Sequence, residues 1–421
     1  MGMLKNSLKT LQEKYDVETN ETANSLAKFL KRRRNELNRT LEDVSRGICS
    51  PSYLSKIENC QVEVDSYYYE SLFEKLDLKY ENFIKERQVA FFPKIMKYYL
   101  LEKYELLEEK LKEMVNGSLY CETELELVIL LNNIVSKNYD EAENLIEKIE
   151  KVRNTLTKEE LYIFSFLITL FLYKTNQTVD ALEQVKVLIH NPFEEESYNI
   201  AVTDLAIDIY FNLGNETMFF TYYQELLRYK NQELLTNRKL LHELQVLVLQ
   251  VKDGKKTILA ELEDLKLTYP NLEKNILVNY YLGLIYYYLE DYQKALEIVN
   301  VSEPTPQLLS LEATILNKIN DLEQSINFLT KIKKVNFITK GEDVYLNYLE
   351  YIREKIEQYS YSKILSYLKS VALPHITKNY ISFIYEEEIK EYLILCYELG
   401  KYKETIRLLL KLKQISFLKK N

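Results

Sequence analysis

The sequence predicts an all-α protein, with a small basic domain at the amino end followed by a long acidic array of helices. Only 8 Gly and 7 Pro interrupt 421 residues, and the segments between them are rich in Leu, Ile, Glu, Lys and Tyr. This composition is typical of helices. Apolar residues also recur at helical spacing along these segments. A chain of this length suits two or three domains or a repeat array.

The formal net charge of −9 is unevenly distributed along the chain. Residues 22–62 contain eight Lys or Arg against four Asp or Glu, a net charge of +4, so the remainder sums to −13. A basic island on an acidic chain indicates a local nucleic-acid footprint, because the acidic remainder repels DNA.

The segment from residue 25 to 60 predicts short helices joined by tight turns, the layout of a helix-turn-helix DNA reader. Thr40 and Asp43 form a T-x-x-D capping box at the start of the second helix. Gly47 ends that helix, because glycine accepts the left-handed conformation of a tight turn. Ser50 caps the third helix. The predicted helices of this domain cover residues 25–37, 40–46, 51–58, 67–76 and 80–91.

Small hydroxyl groups and a lysine near the start of the third helix can approach base edges and phosphates closely. Leu54 and Ile57 are expected to anchor this helix to the core, which leaves its polar residues outside. For Arg32 and Arg33 an ordinary solvated face is the alternative, and for Tyr53 it is partial packing on the second helix. The predicted DNA-binding residues are Arg32, Arg33, Thr40, Ser50, Ser52, Tyr53, Ser55 and Lys56.

From about residue 90 onward the sequence repeats a helical hairpin. In the clearest copy, residues 277–300, the spacing of small and aromatic residues fits a tetratricopeptide repeat. Gly283 and Ala295 are small where two helices are expected to cross, and Glu290-Asp291 is the turn between them. Weaker copies begin near residues 137, 176, 213, 320 and 399. The sequence therefore predicts an amino-terminal helix-turn-helix domain followed by a right-handed tetratricopeptide-like superhelix.

The concave face of such a superhelix can hold an extended peptide. Amide and carboxyl groups pair with peptide backbone, and tyrosine supplies a flat apolar wall with a polar tip. Because the chain has 36 Tyr, any single Tyr can equally be a core residue, and Asn212 can simply end its helix. The predicted peptide-binding residues are Tyr173, Lys174, Asp204, Asp208, Asn212, Tyr280, Tyr287, Tyr288 and Asn317.

No catalytic motif, phosphate-binding loop or metal-ligand spacing is present in the sequence, so we expect neither an enzyme nor a cofactor or metal. The four Cys are too sparse for a disulfide framework and predict reduced thiols. The longest apolar run, residues 161–173, is too short to cross a bilayer, so no membrane association is expected.

The residues 48–58 read I-C-S-P-S-Y-L-S-K-I-E and resemble the I-C-x-x-S-x-[LV]-S-[RK]-I-E segment of PlcR-type regulators, within the Cro-type helix-turn-helix class. The resemblance implies an ion pair between Arg34 and Glu58 that orients the helices. Asn59 is expected to take the left-handed turn that a glycine makes in that class. The sequence departs from the family pattern at Leu41, Pro51 and Cys60.

The predicted architecture resembles the RRNPP quorum-sensing receptors, the group of Rap, Rgg, NprR, PlcR and PrgX proteins. The resemblance implies a cytoplasmic homodimer that binds double-stranded DNA and is switched by a short signalling peptide. We expect an extension over residues 1–22, a helix-turn-helix domain over 23–88, and a tetratricopeptide-like domain for peptide binding and dimerisation over 89–421. Two alternatives stay open: a repressor whose repeats bind a protein antagonist, and a scaffold whose amino-terminal domain only dimerises.

Overall fold

The computed structural model describes most of the chain between residues 21 and 418. The described ranges are 21–59, 61–62, 64–81, 91–116, 122–153, 156–255, 257–269, 275–301, 304–319, 343–357, 361–372 and 382–418, with residues 324, 327, 328, 331 and 332. Four predicted features lie wholly or largely outside these ranges: the extension 1–22, the helix 80–91, the domain boundary at 88/89 and the repeat copy near 320.

Every regular element among the described residues is a helix, and none is a strand, which confirms the all-α prediction. The first eleven helices are α1 (Glu21–Glu36), α2 (Leu41–Ser45), α3 (Pro51–Glu58), α4 (Ser66–Lys75), α5 (Phe91–Leu100), α6 (Tyr104–Asn116), α7 (Glu122–Val135), α8 (Tyr139–Val152), α9 (Lys158–Lys174), α10 (Thr178–His190) and α11 (Glu196–Asn212).

The second half of the chain continues in the same way, with one short 3₁₀ helix (Gln232–Leu235) and one π-helical turn (Leu368–Ala372). Its α-helices are α12 (Glu216–Leu226), α13 (Thr236–Lys252), α14 (Ile258–Thr268), α15 (Ile276–Tyr288), α16 (Tyr292–Val299), α17 (Pro306–Ile319), α18 (Asp343–Glu357), α19 (Tyr361–Tyr367), α20 (Ser382–Glu398) and α21 (Tyr402–Leu418).

The chain divides into two compact units. One comprises residues 1–171 with 184–202, and the other comprises 172–183 with 203–421. The division passes through helices α9, α10 and α11, so each of these helices contributes to both units.

Helices α2 and α3 begin after the capping residues that the sequence predicts, whereas α1 begins at Glu21, four residues before its predicted start. The Thr40 hydroxyl accepts the Asp43 N–H at 3.1 Å, and the Asp43 carboxylate accepts the Thr40 N–H at 2.9 Å, a complete capping box. Ser50 caps α3, and Gly47 is left-handed with φ +81°. Asn59 is not left-handed, because its φ is −98°, so the prediction for that residue is wrong.

These four helices share one apolar core. Its residues are the periodic apolar positions of each helix, so burial of one face explains the packing. The phenyl rings of Phe29 and Phe73 stack with centroids 5.6 Å apart. The buried core residues are Leu26, Phe29, Leu30, Val44, Leu54, Ile57, Tyr69, Leu72, Phe73, Leu76 and Leu78.

One turn geometry recurs through the helical hairpins that follow. A residue with positive φ ends the first helix, and the next N–H donates to the carbonyl five residues back; at Glu290, the Asp291 N–H reaches the Tyr286 carbonyl at 3.0 Å. This is the Schellman end of a helix. The turn occurs at Glu102, Lys137, Asn176, Gly214, Gly254 and Glu290, at intervals of 35 to 40 residues, and again at Gly400. The hairpins are therefore repeats in backbone as well as in sequence.

Gly283 lies where α15 meets its neighbours. A Cβ atom at this position would lie 2.5 Å from Val299 Cγ1 on α16 and 3.0 Å from Leu311 Cδ2 on α17. Glycine therefore permits a close approach that a methyl group would block, as the small-residue prediction requires. Ala295, the other predicted small residue, is fully buried.

Candidate functional sites

Helix α3 is held in a fixed orientation by an ion pair at its carboxyl end. The Arg34 guanidinium donates from Nε to Glu58 Oε1 at 2.7 Å and from Nη2 to Glu58 Oε2 at 2.8 Å. The bond to Glu58 raises the pKa of Arg34. Arg34 also donates to the Arg39 carbonyl at 2.9 Å, which ties the turn after α1 to the same pair. The predicted Arg34–Glu58 pair is confirmed, and it positions α3 on α1.

The outer face of α3 presents Ser52 and Lys56, which are exposed, and Ser55, which is half-buried. Ser50 is also exposed, but its hydroxyl accepts the Tyr53 N–H at 3.2 Å as the helix cap. The Ser50 and Ser52 hydroxyls lie 3.0 Å apart. These groups form a small polar surface on the outer side of α3.

Two other predicted DNA-binding residues have structural partners. The Thr40 hydroxyl lies 2.6 Å from the Asp43 carboxylate within the capping box. Tyr53 is half-buried and packs against the apolar core shared by α1 to α4. Its ring is tilted against that of Tyr68 at a centroid distance of 5.7 Å. The alternative to a DNA contact is that Tyr53 packs partly on the second helix. The structure shows partial packing of Tyr53, against the core and the ring of Tyr68.

The two predicted arginines of α1 form ion pairs. Arg32 meets Glu160 on α9 through two bonds of 2.5 Å, and the Glu160 side chain is only 2% exposed. Glu160 also accepts the Thr157 N–H at 2.7 Å. Burial alone would raise the pKa of Glu160, but Arg32 and Thr157 together lower it. Arg33 pairs with Glu36 at 3.2 Å. Both guanidinium groups are therefore engaged with carboxylates of the chain.

In the second unit, the structure brings Asp204 on α11 together with two cationic side chains of α13. Arg238 Nη1 lies 2.5 Å from Asp204 Oδ2, and His242 Nε2 lies 2.9 Å from Asp204 Oδ1. Asp204 and His242 are both fully buried. Arg238 and His242 offset the burial of Asp204 and lower its pKa. This predicted ligand residue is thus an internal cross-link between helices.

His242 faces hydrogen-bond acceptors on both sides of its ring. Its Nδ1 lies 2.8 Å from Gln245 Oε1, whose amide nitrogen donates to Asp208 Oδ1 and to the Tyr281 hydroxyl, both at 2.8 Å. With a carboxylate at Nε2 and an amide oxygen at Nδ1, this arrangement favours donation from both ring nitrogens, which is the imidazolium form. Asp204 accordingly raises the pKa of His242 against the opposing effect of burial.

Asp208 and Asn212 extend this polar row along α11, and Tyr173 near the end of α9 joins it. The Asn212 amide donates to the Tyr173 hydroxyl at 3.0 Å, and all three side chains are half-buried. Burial and the nearby Asp208 charge hold the pKa of Tyr173 well above its ordinary value. Lys174 is exposed, with its Nζ 5.5 Å from the Tyr173 ring centroid. Four of the predicted peptide-binding residues thus lie within one neighbourhood.

The remaining predicted ligand residues are divided between two other places. Tyr280 and Tyr288 line a small cavity together with Asn212, and burial raises the pKa of Tyr280 to about 12. Tyr287 is buried, with its ring edge-on to Phe383 at 5.5 Å. Asn317 is exposed beside a separate acidic cleft.

Sequence reasoning missed Arg238, His242, Gln245 and Tyr281, which complete the buried polar network. The available signal was the spacing of the first three on α13, where polar residues at intervals of four and three share one face of a helix. An all-polar stripe on a helix whose neighbouring positions are Leu and Val indicates a polar contact with another helix.

Comparisons of the chain with models of known protein families, with curated proteins and with solved structures return no match. Among the described residues, no helix has both the length and the apolar character needed to cross a bilayer. In the same part of the chain, no group of three or more His, Cys, Asp or Glu side chains is arranged to hold a metal ion.

Proposed function

We propose that this protein is a DNA-binding transcription regulator whose helical repeats bind a short signalling peptide that changes its affinity for DNA. In this proposal helices α1 to α4 form a helix-turn-helix domain, and the hairpins that follow form a right-handed tetratricopeptide-like superhelix. The protein acts as a cytoplasmic homodimer.

One observation carries the DNA-binding part of the proposal: the polar outer face of α3 on a helix fixed from behind by Arg34 and Glu58. A recognition helix must hold its side chains in a constant orientation to read base edges. Ser52, Ser55 and Lys56 are short or extended polar groups on that outer face. Because Arg32 is engaged with Glu160, we assign it to positioning α1 and assign phosphate contact to Lys56.

The recurring turns support the repeat architecture. Intervals of 35 to 40 residues and the close approach at Gly283 are typical of stacked two-helix units. Stacked units offer a continuous groove, and the half-buried Asp208, Asn212 and Tyr173 supply the donors and acceptors that an extended peptide backbone needs. We assign these three residues to peptide binding, with the Asp204 network behind them as their support.

An exposed apolar stripe on α21 supports the homodimer. Tyr402, Ile406, Leu409 and Leu410 are each at least half exposed, and their spacing places them on one face of the helix. Water-exposed apolar surface of this kind marks interaction sites. We assign this stripe to the contact between two copies.

Fluorescence anisotropy with labelled duplexes from the regions upstream of the protein's own gene tests the DNA-binding assignment. The wild type is expected to bind a duplex with a strong salt dependence, and the double substitution Ser52→Ala with Lys56→Ala should weaken binding by about tenfold or more. Lys112→Ala removes an exposed lysine from α6 and serves as the matched control. Equal binding by all three proteins, or no binding to any duplex, contradicts the proposal.

Calorimetric titration with a pool of short peptides, with and without the bound duplex, tests the switch. A peptide can shift DNA binding only by having different affinities for the free and DNA-bound forms. Identical peptide affinity in both conditions removes the switch. Capture of a folded protein but of no peptide would favour the antagonist alternative.

A further inference from the structure

The second unit contains a cleft of about 290 Å³ that is separate from the Asp204 network. Residues of α17, α18 and α20 form its walls, together with the first residue of α19. Tyr348, Tyr351 and Tyr361 give it aromatic surface, and Ile352 and Leu395 give it aliphatic surface. The cleft can therefore enclose a ligand with an apolar stem.

Glu388 of α20 lies on the wall of this cleft with only half of its carboxyl group satisfied. The residue is 2% exposed. Its Oε1 accepts a bond from the Tyr367 hydroxyl at 3.0 Å, while Oε2 is buried and has no hydrogen-bond partner among the described residues. A buried carboxyl oxygen without a hydrogen-bond partner is costly whether the group is ionised or protonated, so this atom indicates a missing partner.

Two other acidic groups on the walls, Glu387 and Glu391, are already paired with lysines. Lys355 pairs with Glu391 at 2.8 Å, and Glu387 pairs with Lys318 at 3.2 Å and with Lys390 at 3.0 Å. The exposed Glu398 completes a set of four glutamates against three lysines on the walls. The three lysines of the walls are therefore engaged with Glu387 and Glu391, and within the described residues none of them forms an ion pair with Glu388.

We infer that this cleft binds the ammonium or guanidinium group of an organic cation, with the carboxylate of Glu388 as its counter-ion and the tyrosines as its walls. Aromatic faces attract such cations, and the aliphatic residues suit the methylene stem of a Lys or Arg side chain. The inference rests on the proposed ligand function for its source: a basic side chain of the signalling peptide. A free polyamine presents the same chemistry, and the test distinguishes the two sources.

Binding of a cation is coupled to loss of a proton from Glu388. Burial and the neighbouring Glu391 raise the pKa of Glu388 to about 8, so the empty cleft holds a neutral carboxyl group at pH 7. A bound ammonium group favours the carboxylate, which releases the proton to solvent. The titratable groups that interact with Glu388 are Tyr367 on α19, Tyr348 and Tyr351 on α18, and Glu391 on α20. The other charged and titratable groups on the walls of the cleft are Lys318, Lys355, Tyr361, Glu387, Lys390 and Glu398.

Isothermal titration calorimetry on the full chain with three probes tests the inference. The probes are acetyl-Gly-Lys-Gly-amide, its norleucine analogue and spermidine, each titrated at pH 7 in two buffers that differ in protonation enthalpy. The lysine peptide is expected to bind and to release a proton, and the norleucine peptide is not. Glu388→Gln should weaken binding of the lysine peptide by about tenfold or more, whereas Glu297→Gln, an exposed substitution on α16, should leave it unchanged.

The results with the three probes distinguish a peptide side chain from a free polyamine and from no cation site. Equal heats for the lysine and norleucine peptides, or equal binding by wild type and Glu388→Gln, overturn the inference. Binding of spermidine alone supports the cation site and overturns its assignment to a peptide side chain. Circular dichroism confirms that Glu388→Gln is folded, and its DNA affinity is measured in parallel. A failure of DNA binding would then refute the proposed regulator without altering the result for the cleft.

Discussion

The guanidinium of Arg32 on α1 and the carboxylate of Glu160 on α9 form a two-bond ion pair across 128 positions of sequence. Neither side chain is more than 13% exposed. Glu160 also caps the start of its own helix through the Thr157 N–H, so one carboxylate fixes two elements at once. The pair makes the position of α1 depend on a helix far along the chain.

Removing Arg32 should destabilise the first unit. We expect Arg32→Ala to lower the free energy of unfolding by about 3–5 kcal/mol, because Glu160 is left buried without its cation. The matched control Arg33→Ala breaks a pair between neighbouring turns of one helix and should cost less than about 1 kcal/mol. Urea denaturation followed by circular dichroism measures both. Adding Glu160→Gln to Arg32→Ala should restore part of the lost unfolding free energy, because the unpaired buried charge is then removed. If the double variant is no more stable than Arg32→Ala, the unpaired charge of Glu160 is not the cause of the loss.

Deprotonation of His242 should weaken the second unit at alkaline pH. Its pKa is raised in the folded state, so its contribution is complete below the unfolded pKa near 6.5 and is lost as pH rises through the folded value. We expect the difference in unfolding free energy between wild type and His242→Gln to fall with pH, by at most about 1.4 kcal/mol per pH unit.

Urea midpoints for both proteins from pH 6 upward measure this effect. The contribution of Asp204 to stability is lost at acidic pH instead. Because its pKa is lowered in the folded state, this contribution decreases only as the pH falls below 3.8, the ordinary pKa of an aspartate. A pH-independent difference between the two proteins would show that His242 is not charged in the fold.

A methyl group at Gly283 should destabilise the repeats. Gly→Ala within a helix ordinarily stabilises by about 1 kcal/mol, but here the new Cβ would lie 2.5 Å from Val299 Cγ1. We expect Gly283→Ala to lower the unfolding free energy by about 1–3 kcal/mol through overpacking. In the double variant with Val299→Ala, the loss should be smaller than the sum of the single losses. A stabilised Gly283→Ala protein would contradict the close approach of α15 and α16.

Charges on the exposed stripe of α21 should separate the proposed dimer. We expect Ile406→Glu with Leu409→Glu to convert the protein to a monomer, because each glutamate would be desolvated in an apolar contact. Lys403→Glu, an exposed substitution on the same helix, should leave the dimer intact. Sedimentation equilibrium measures the mass of all three. A monomeric wild type, or a dimer that survives both charges, removes α21 from the interface.

Local features were predictable from the sequence because their causes lie within a few residues. The caps at Thr40 and Ser50 are satisfied by backbone N–H groups three residues away, and Gly47 responds to the geometry of its own turn. The ion pair of Arg34 with Glu58 was predictable only from the family resemblance. Gly283 was predictable because its repeat contains a recognisable pattern of sizes.

The partners of Arg32 and Asp204 could not be predicted, because they depend on how distant helices pack. Glu160 and Arg238 are ordinary charged residues in their own segments, and no short pattern links them to their partners. Asn59 was assigned a left-handed conformation by analogy with a glycine, but its side chain donates to the Ser55 carbonyl at 2.8 Å and holds a right-handed end instead. At Asn59 a specific side-chain hydrogen bond to the backbone therefore decides the conformation, and the tendency of asparagine to adopt the left-handed conformation does not.

The turns within the hairpins also offer positions at which the stability of the protein can be increased. Glu102, Lys137 and Glu290 adopt a left-handed backbone that costs a side-chain-bearing residue about 1–2 kcal/mol, whereas glycine adopts it without that strain. Gly214, Gly254 and Gly400 already fill equivalent places. Replacing the three strained residues by glycine offers a route to a more heat-resistant protein that leaves every core side chain in place.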